Sequence, residues 1–217
     1  MRSTPARAVL ALALLVPLAG CTSDEPAEQS AGTSAPASAV PLAPETSAAP
    51  VPTGPFGAGC QFLPPDGEGS IAGMADDPVA AAAANNPALS ALVRAVQAAN
   101  LVDTLNTTPE VTVLAPANPA FEAVPADALN ALLVDTPRLT AVLTHHVIPG
   151  RLGPGELAGT HTTLNNDRIT IEGEGETFTV SADQTLVGAA DATVICGNVP
   201  VANATLYLVD QVLAPAP

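Results

Sequence analysis

The stretch LTHHVIPG, Leu143 to Gly150, sets two adjacent histidines, His145 and His146, in a chain that has only three. An imidazole can ligate a metal, move a proton or sit in a core with both nitrogens satisfied. Joint metal ligation is disfavoured, because neighbouring side chains on a strand point to opposite faces. The third histidine, His161, lies across a Gly- and Pro-containing turn with no carboxylate-rich framework. Catalysis needs a nucleophile and an orienting acid, yet no G-x-S-x-G elbow or comparable motif is present. The favoured reading is architectural. It expects His146 to be buried and hydrogen-bonded at a helix-to-strand join, with His145 at or near the surface.

Other groups invite the same test. Three acids in EGEGE, Glu172 to Glu176, could suggest calcium, but alternating glycines without an EF-hand pattern predict a solvated hairpin tip. Asn106-Thr107-Thr108 and Asn203-Ala204-Thr205 fit the N-glycosylation sequon, which is expected to be coincidental in this setting. Asp210, inside LVDQVL, is expected to bond neighbouring backbone on a closing strand. No metal and no cofactor follow from these patterns.

The ends place the chain outside the cell. Arg2 and Arg7 precede the apolar run Ala8 to Ala19, which is the layout of a secretory signal. That run has 12 residues and contains Pro17, whereas a membrane-spanning helix needs about 20. The residues LAGC, Leu18 to Cys21, resemble a bacterial lipobox. The resemblance implies that residues 1–20 are removed and that Cys21 carries the lipid, held by about 0.8 kcal/mol per buried methylene. Two of the three cysteines then remain, Cys60 and Cys196, free to pair in an oxidising compartment; their spacing fits no zinc pattern. A bridge between them would fasten the start of the domain to its last strands.

The chain carries 6 arginines, no lysine and 21 acids. Loss of the signal removes two arginines, so four remain against 21 acids and the mature charge is −17. A surface of that sign repels phosphate backbones, which excludes nucleic acid as a partner.

Two regions follow the signal. Residues 21–55 begin with the cysteine and continue as Ala, Pro, Ser, Thr and Gly with a few acids and no aromatic residue, a composition that cannot bury a core. Such a disordered tether reaches roughly 30 Å as a flexible coil and about 100 Å if polyproline-like. Residues 56–217 suffice for one domain. In its first half, four capping residues each stand before a proline, at Asp77-Pro78, Asn86-Pro87, Asn118-Pro119 and Thr136-Pro137, and predict helix starts. Leu89, Leu92, Val93 and Val96, and later Leu129, Leu132 and Leu133, recur at helical spacing. In the second half Ile169 and Ile171, then Phe178 and Val180, alternate with polar residues, while Leu206 to Leu213 is apolar on both faces, as in a buried strand. The class is α+β with an aliphatic core.

Three segments carry a family resemblance. TVLAPANPAFEAVP (Thr112 to Pro125), LTHHVIPG and ANATLYLVDQVLAP (Ala202 to Pro215) resemble, in that order, the first, central and closing signatures of the fasciclin domain. The resemblance implies a β-sandwich or wedge with a helical layer. It extends to the secreted and lipid-anchored mycobacterial antigens that carry one such domain, and it supports the Cys60–Cys196 pairing. It also implies adhesion or protein–protein contact rather than catalysis. His146 falls on the histidine of a Tyr-His pair associated with adhesion; His145 replaces the tyrosine, and Ala117 stands where threonine is usual. Asn118, His145 and His146 are therefore the candidate binding residues.

The expected function is that of a monomeric, non-enzymatic surface lipoprotein. It is held to the membrane through Cys21 and presents the domain to an extracellular protein or polysaccharide. A small-ligand or polysaccharide-binding module is the alternative and an unrecognised hydrolase a distant third. A ligand module should show a concave apolar pocket, an adhesive domain a broad shallow patch, and an enzyme a nucleophile within reach of a base.

Overall fold

The structure is a computed structural model that describes residues 51–215. The signal, Cys21 and the tether up to residue 50 lie outside the described residues. After a 3-10 turn at Ala58–Phe62 come α1 (Ile71–Met74), α2 (Val79–Asn85), a second 3-10 turn at Pro87–Leu89, α3 (Ser90–Ala98) and α4 (Val102–Thr107). Strand β1 (Val111–Pro116) follows, then α5 (Asn118–Glu122), α6 (Ala126–Val134), α7 (Thr136–His145), β2 (Val147–Pro149) and α8 (Pro154–Leu157). The chain ends in β3 (Gly159–Thr162), β4 (Arg168–Glu174), β5 (Thr177–Val180), β6 (Ala192–Val201) and β7 (Ala204–Val209).

All seven strands form one sheet in the order β2-β1-β7-β6-β5-β4-β3. Only β1 and β7 are parallel; the other neighbours are antiparallel. The sheet curls until its ends nearly meet, where Leu164 N–H, just past β3, donates to the Val147 carbonyl of β2 at 2.8 Å. A curled sheet has an inner face and an outer face, and the hydrophobic residues divide accordingly. Phe56, Phe178 and Tyr207 pack inside the curl with Ile169, Ile171 and Leu213. Leu89, Leu92, Val96, Leu139 and Val142 from the helices pack with Val113, Leu206 and Leu208 in the other core. That helical core is almost wholly aliphatic, as expected, but the inner one gathers three of the chain's five aromatics. Strands β1 and β7 are buried along their whole length because both cores need them.

The fold is the expected α+β, with one exception to its segregation. β1 arises within the helical half and inserts between β2 and β7. The EGEGE run turns at Gly175-Glu176, between β4 and β5, with exposed acids, as the hairpin reading required. Asp210 accepts from Thr193 N–H at 2.6 Å and donates its own N–H to the Thr193 carbonyl, extending the pairing of β6 with β7.

A helix or 3-10 turn begins at all four expected places, but the expected residue supplies the side-chain cap at only one of them. Asn86 caps as expected, its Oδ1 accepting from Ala88 N–H at 2.9 Å, though the turn it starts is 3-10. Asp135, not Thr136, caps α7, through Arg138 N–H. Asp77 does not cap α2. The first α2 amides are taken from a distance, Val79 N–H by Asn203 Oδ1 at 2.9 Å and Ala80 N–H by Asn106 Oδ1 at 3.0 Å. Both sequon asparagines are thus helix caps. Asn203 also donates to the carbonyls of Leu105 and Thr108, both at 2.8 Å, which locks the β6–β7 turn to α2 and α4. Replacing it with alanine removes a cap and leaves carbonyls without their donor. Asn203→Ala is expected to lower the unfolding free energy by about 2 kcal/mol, measured by urea denaturation; a loss below about 0.5 kcal/mol would refute the clamp.

Candidate functional site

The histidine pair is set by the end of α7 rather than by a strand. His145 is its last residue and His146 its C-cap, so the two rings diverge because the helix ends between them. They meet edge to face with centroids 6.3 Å apart.

His146 is 2% exposed, as expected. Its Nδ1 lies 2.7 Å from the Val142 carbonyl one turn back, which can only accept, so Nδ1 carries the proton. Its Nε2 is then a bare acceptor, and Leu213 N–H donates to it at 3.0 Å. One imidazole thereby joins the end of α7 to the segment after β7, with both nitrogens spent. Burial lowers its pKa from 6.5 to about 4, against the raising effect of the Val142 carbonyl, and the neighbouring His145 lowers it further. His146 is therefore neutral at physiological pH.

His145 is 1% exposed, which corrects the expectation of a surface position. A partner 22 residues on draws it inward: its Nδ1 lies 2.8 Å from Asp167 Oδ1. The β3–β4 turn arranges that carboxylate with care. Thr163 donates to Asp167 Oδ1 and Asn165 Nδ2 to Oδ2 at 2.9 Å. Desolvation pushes the Asp167 carboxyl up, but hydrogen bonds from Thr163, Asn165 and His145 together outweigh it and hold the pKa below its ordinary value.

An acid that orients a histidine is two-thirds of a hydrolytic triad. The remaining third fails on geometry, because His145 Nε2, the atom that would take a proton from a nucleophile, is buried without a hydrogen-bond partner among the described residues. Metal ligation fails similarly: His146 has no free nitrogen, and His161 spends its Nε2 on the Leu157 carbonyl at 2.9 Å. Asn118 is no freer. Its Oδ1 accepts from Ala91 N–H at 3.0 Å and its Nδ2 donates to the Pro87 carbonyl at 2.8 Å, so it serves the start of α3 and not its own helix. The three candidate binding residues are thus not brought together on a surface. Asn118 and His146 each clamp one piece of backbone to another, and His145 holds the Asp167 carboxylate.

Two features that the sequence reading passed over are open to solvent. The first is Phe62, the one exposed aromatic among the five; it is 67% exposed, while Phe56, Phe121, Phe178 and Tyr207 are all 7% or less. It ends the 3-10 turn that Cys60 fixes through its disulfide to Cys196, with Cα atoms 4.8 Å apart. Gly57 has φ +99° with Ile195 close against it, and Gly197 leaves room for the Phe56 ring, so the turn lies flat on β6. Beside it is a shallow apolar concavity of about 650 Å³ lined by Cys60, Leu63, Pro64, Ile71, Ala75 and Pro200. The only signal in the sequence was a phenylalanine without periodic neighbours in a Pro/Gly-rich stretch.

The second is a half-open apolar cavity of about 200 Å³ between the helical layer and the sheet. Ala80 and Ala83 of α2, Val93 and Val96 of α3, and Val113 and Leu206 of the sheet are among its walls. Its origin is the run of five alanines, Ala80 to Ala84, which forms a helix too thin to fill the space above the sheet. Left dry, a void of that size forfeits on the order of 5 kcal/mol of packing.

This curled mixed sheet with one helical face carries the signatures of a known class. The Fasciclin domain profile matches residues 87–215, and the chain belongs to the fasciclin family. It is 42% identical to the cell surface glycolipoprotein MPB83 of Mycobacterium bovis, over 97% of this chain and 94% of that one. It is 41% identical to the immunogenic protein MPB70 of the same species, over 70% of this chain and 76% of that one. Among solved structures, the FAS1 domain pair of the insect cell adhesion molecule fasciclin I aligns with 27% identity and a TM-score of 0.45, covering 58% of this chain and 45% of that one.

Proposed function

We propose that this chain is a cell-surface contact module, tethered through a lipid on Cys21, that presents the disulfide-held Phe62 turn to an extracellular protein. The observation that carries the reading is Phe62: in a chain poor in aromatics, one is spent in water on a turn that is covalently fixed. An exposed aromatic on a rigid support binds at low entropic cost, as interface anchors do. Asp66 and Glu68 follow four and six residues on, both exposed. Together with the acidic charge of the chain, they favour a partner with an apolar socket and a basic rim. The names of the relatives support surface display, and the burial of His145 Nε2 without a partner among the described residues supports binding over catalysis.

The full chain with Cys21→Ser, which cannot be acylated, serves as the probe. Its binding to host cells and immobilised matrix proteins is expected to weaken at least tenfold on Phe62→Ala and to fall with rising salt. Equal binding by the variant would refute the Phe62 surface, and binding only to cell-wall polysaccharide would refute the protein partner. Tethering has its own readout: Cys21→Ala should move the protein from the membrane fraction to the medium or leave the leader uncut, and unchanged retention with unchanged mass would reject lipidation.

A further inference from the structure

The Phe62 turn leaves the apolar cavity between α2, α3 and the sheet without a use, and we infer that this cavity takes the alkyl chain of a lipid with an uncharged headgroup. The reading stands independently of the Phe62 surface, from which it shares no residue.

Shape and chemistry argue for a chain. The walls are aliphatic: alanines from α2, valines from α3, Leu105 of α4 and Val113 of β1. At about 200 Å³ the cavity exceeds the roughly 150 Å³ that suffices for benzene in an engineered core. With about 30 Å³ per methylene, near the volume of one water in the liquid, it holds about seven. His146 forms part of the wall but offers no polar contact, since both its nitrogens are occupied by Val142 and Leu213. The interior thus has nothing to reward a polar ligand atom.

The entrance decides the headgroup. Gln97 lines the cavity and is exposed to solvent, and Asn106 lines it half-buried. Asn106 Oδ1 is spent on Ala80 N–H, while its Nδ2 has no partner among the described residues and can donate to a hydroxyl or ester oxygen. Among the described residues no cationic side chain lines the cavity, and the chain bears 21 acids against 6 basic residues, so a carboxylate headgroup would meet a repulsive field with no counter-charge. An alcohol or ester fits where a fatty acid does not. A surface protein held at a membrane meets such chains at high local concentration.

Chain length supplies the test. The full chain with Cys21→Ser is titrated with 1-butanol, 1-hexanol, 1-octanol and 1-dodecanol, and with octanoate, while the ring protons of His146 and the amides of Ala83 and Val96 are followed by NMR. Each methylene should tighten Kd about fourfold, corresponding to about 0.8 kcal/mol, up to about eight carbons and then level off. Octanoate should bind at least tenfold more weakly than 1-octanol. Ala83→Leu, which fills the cavity, and Val93→Phe, which narrows its entrance, should each weaken 1-octanol at least tenfold. No saturable shift at these residues, a dependence on length that does not level off, or equal binding of octanoate would overturn the proposal. Should either variant lose its fold, the break in the length series of the unmodified protein decides alone.

Discussion

Removing the Cys60–Cys196 disulfide, by Cys60→Ala with Cys196→Ala, is expected to lower the unfolding free energy by about 5 kcal/mol and Tm by roughly 10–20 °C. The magnitude follows from the loop. The two cysteines are 136 residues apart, so the bridge ties nearly the whole domain into one ring and strips the unfolded chain of much of its conformational freedom. The native state also loses a local fastening. The segment before α1 pairs with β6 mainly through Phe56 and Gly197, whose two backbone hydrogen bonds are 3.1 and 2.9 Å. Phe56 in turn packs on Phe178 and Tyr207 inside the curl. Differential scanning calorimetry gives the Tm, and hydrogen exchange at Phe56 N–H reports whether the segment lifts. A loss below about 1 kcal/mol would mean that the N-terminal segment holds without the bridge. Lifting the segment also frees the Phe62 turn, so the double variant should bind a surface partner more weakly even where the domain remains folded.

The sequence disclosed the features set by neighbours along the chain. The period of Ile169 and Ile171 fixes which face of β4 enters the curl, and both are buried at 2% or less. A capping residue acts within three positions, which is why Asn86 reads correctly. What escaped was decided by distant partners. Nothing local distinguishes Asn118 from a cap of its own helix; the amide it serves belongs to Ala91, 27 residues earlier. His145 looks like a helix-end surface residue until the β3–β4 turn delivers Asp167. The cavity escaped for another reason. Five alanines predict a helix strongly, yet their shortness matters only once a sheet lies beneath them. The sequons were read as coincidental, but nothing local showed what their asparagines do instead; only the fold places Asn106 and Asn203 at the first turn of α2.

Acid should weaken this fold through His146, and the sign follows from its tautomer. The ring accepts from Leu213 N–H and donates to the Val142 carbonyl, so a second proton on Nε2 would point at another donor where the ring is buried. Its folded pKa of about 4 lies below the unfolded value of 6.5, so between those pH values the unfolded chain binds a proton that the native one refuses. Stability is then full above pH 6.5 and declines as pH falls to 4, by about 3 kcal/mol at 1.36 kcal/mol per unit; below that the native ring also charges and this contribution stops falling. Asp167, held below its ordinary pKa, adds a further decline only at more acidic pH. His146→Gln separates the ring from the rest of the titration, because the amide can still accept and donate but carries no titrating proton. Urea denaturation from pH 7.5 to 4 should show the variant about 2 kcal/mol less stable at neutral pH, from imperfect pairing of the buried Val142 and Leu213 groups. Its profile should be flatter than the parent's by about 3 kcal/mol, so that the two curves cross near pH 5. Parallel profiles would place the acid sensitivity elsewhere and would make the His146 bridge a spectator of the fold.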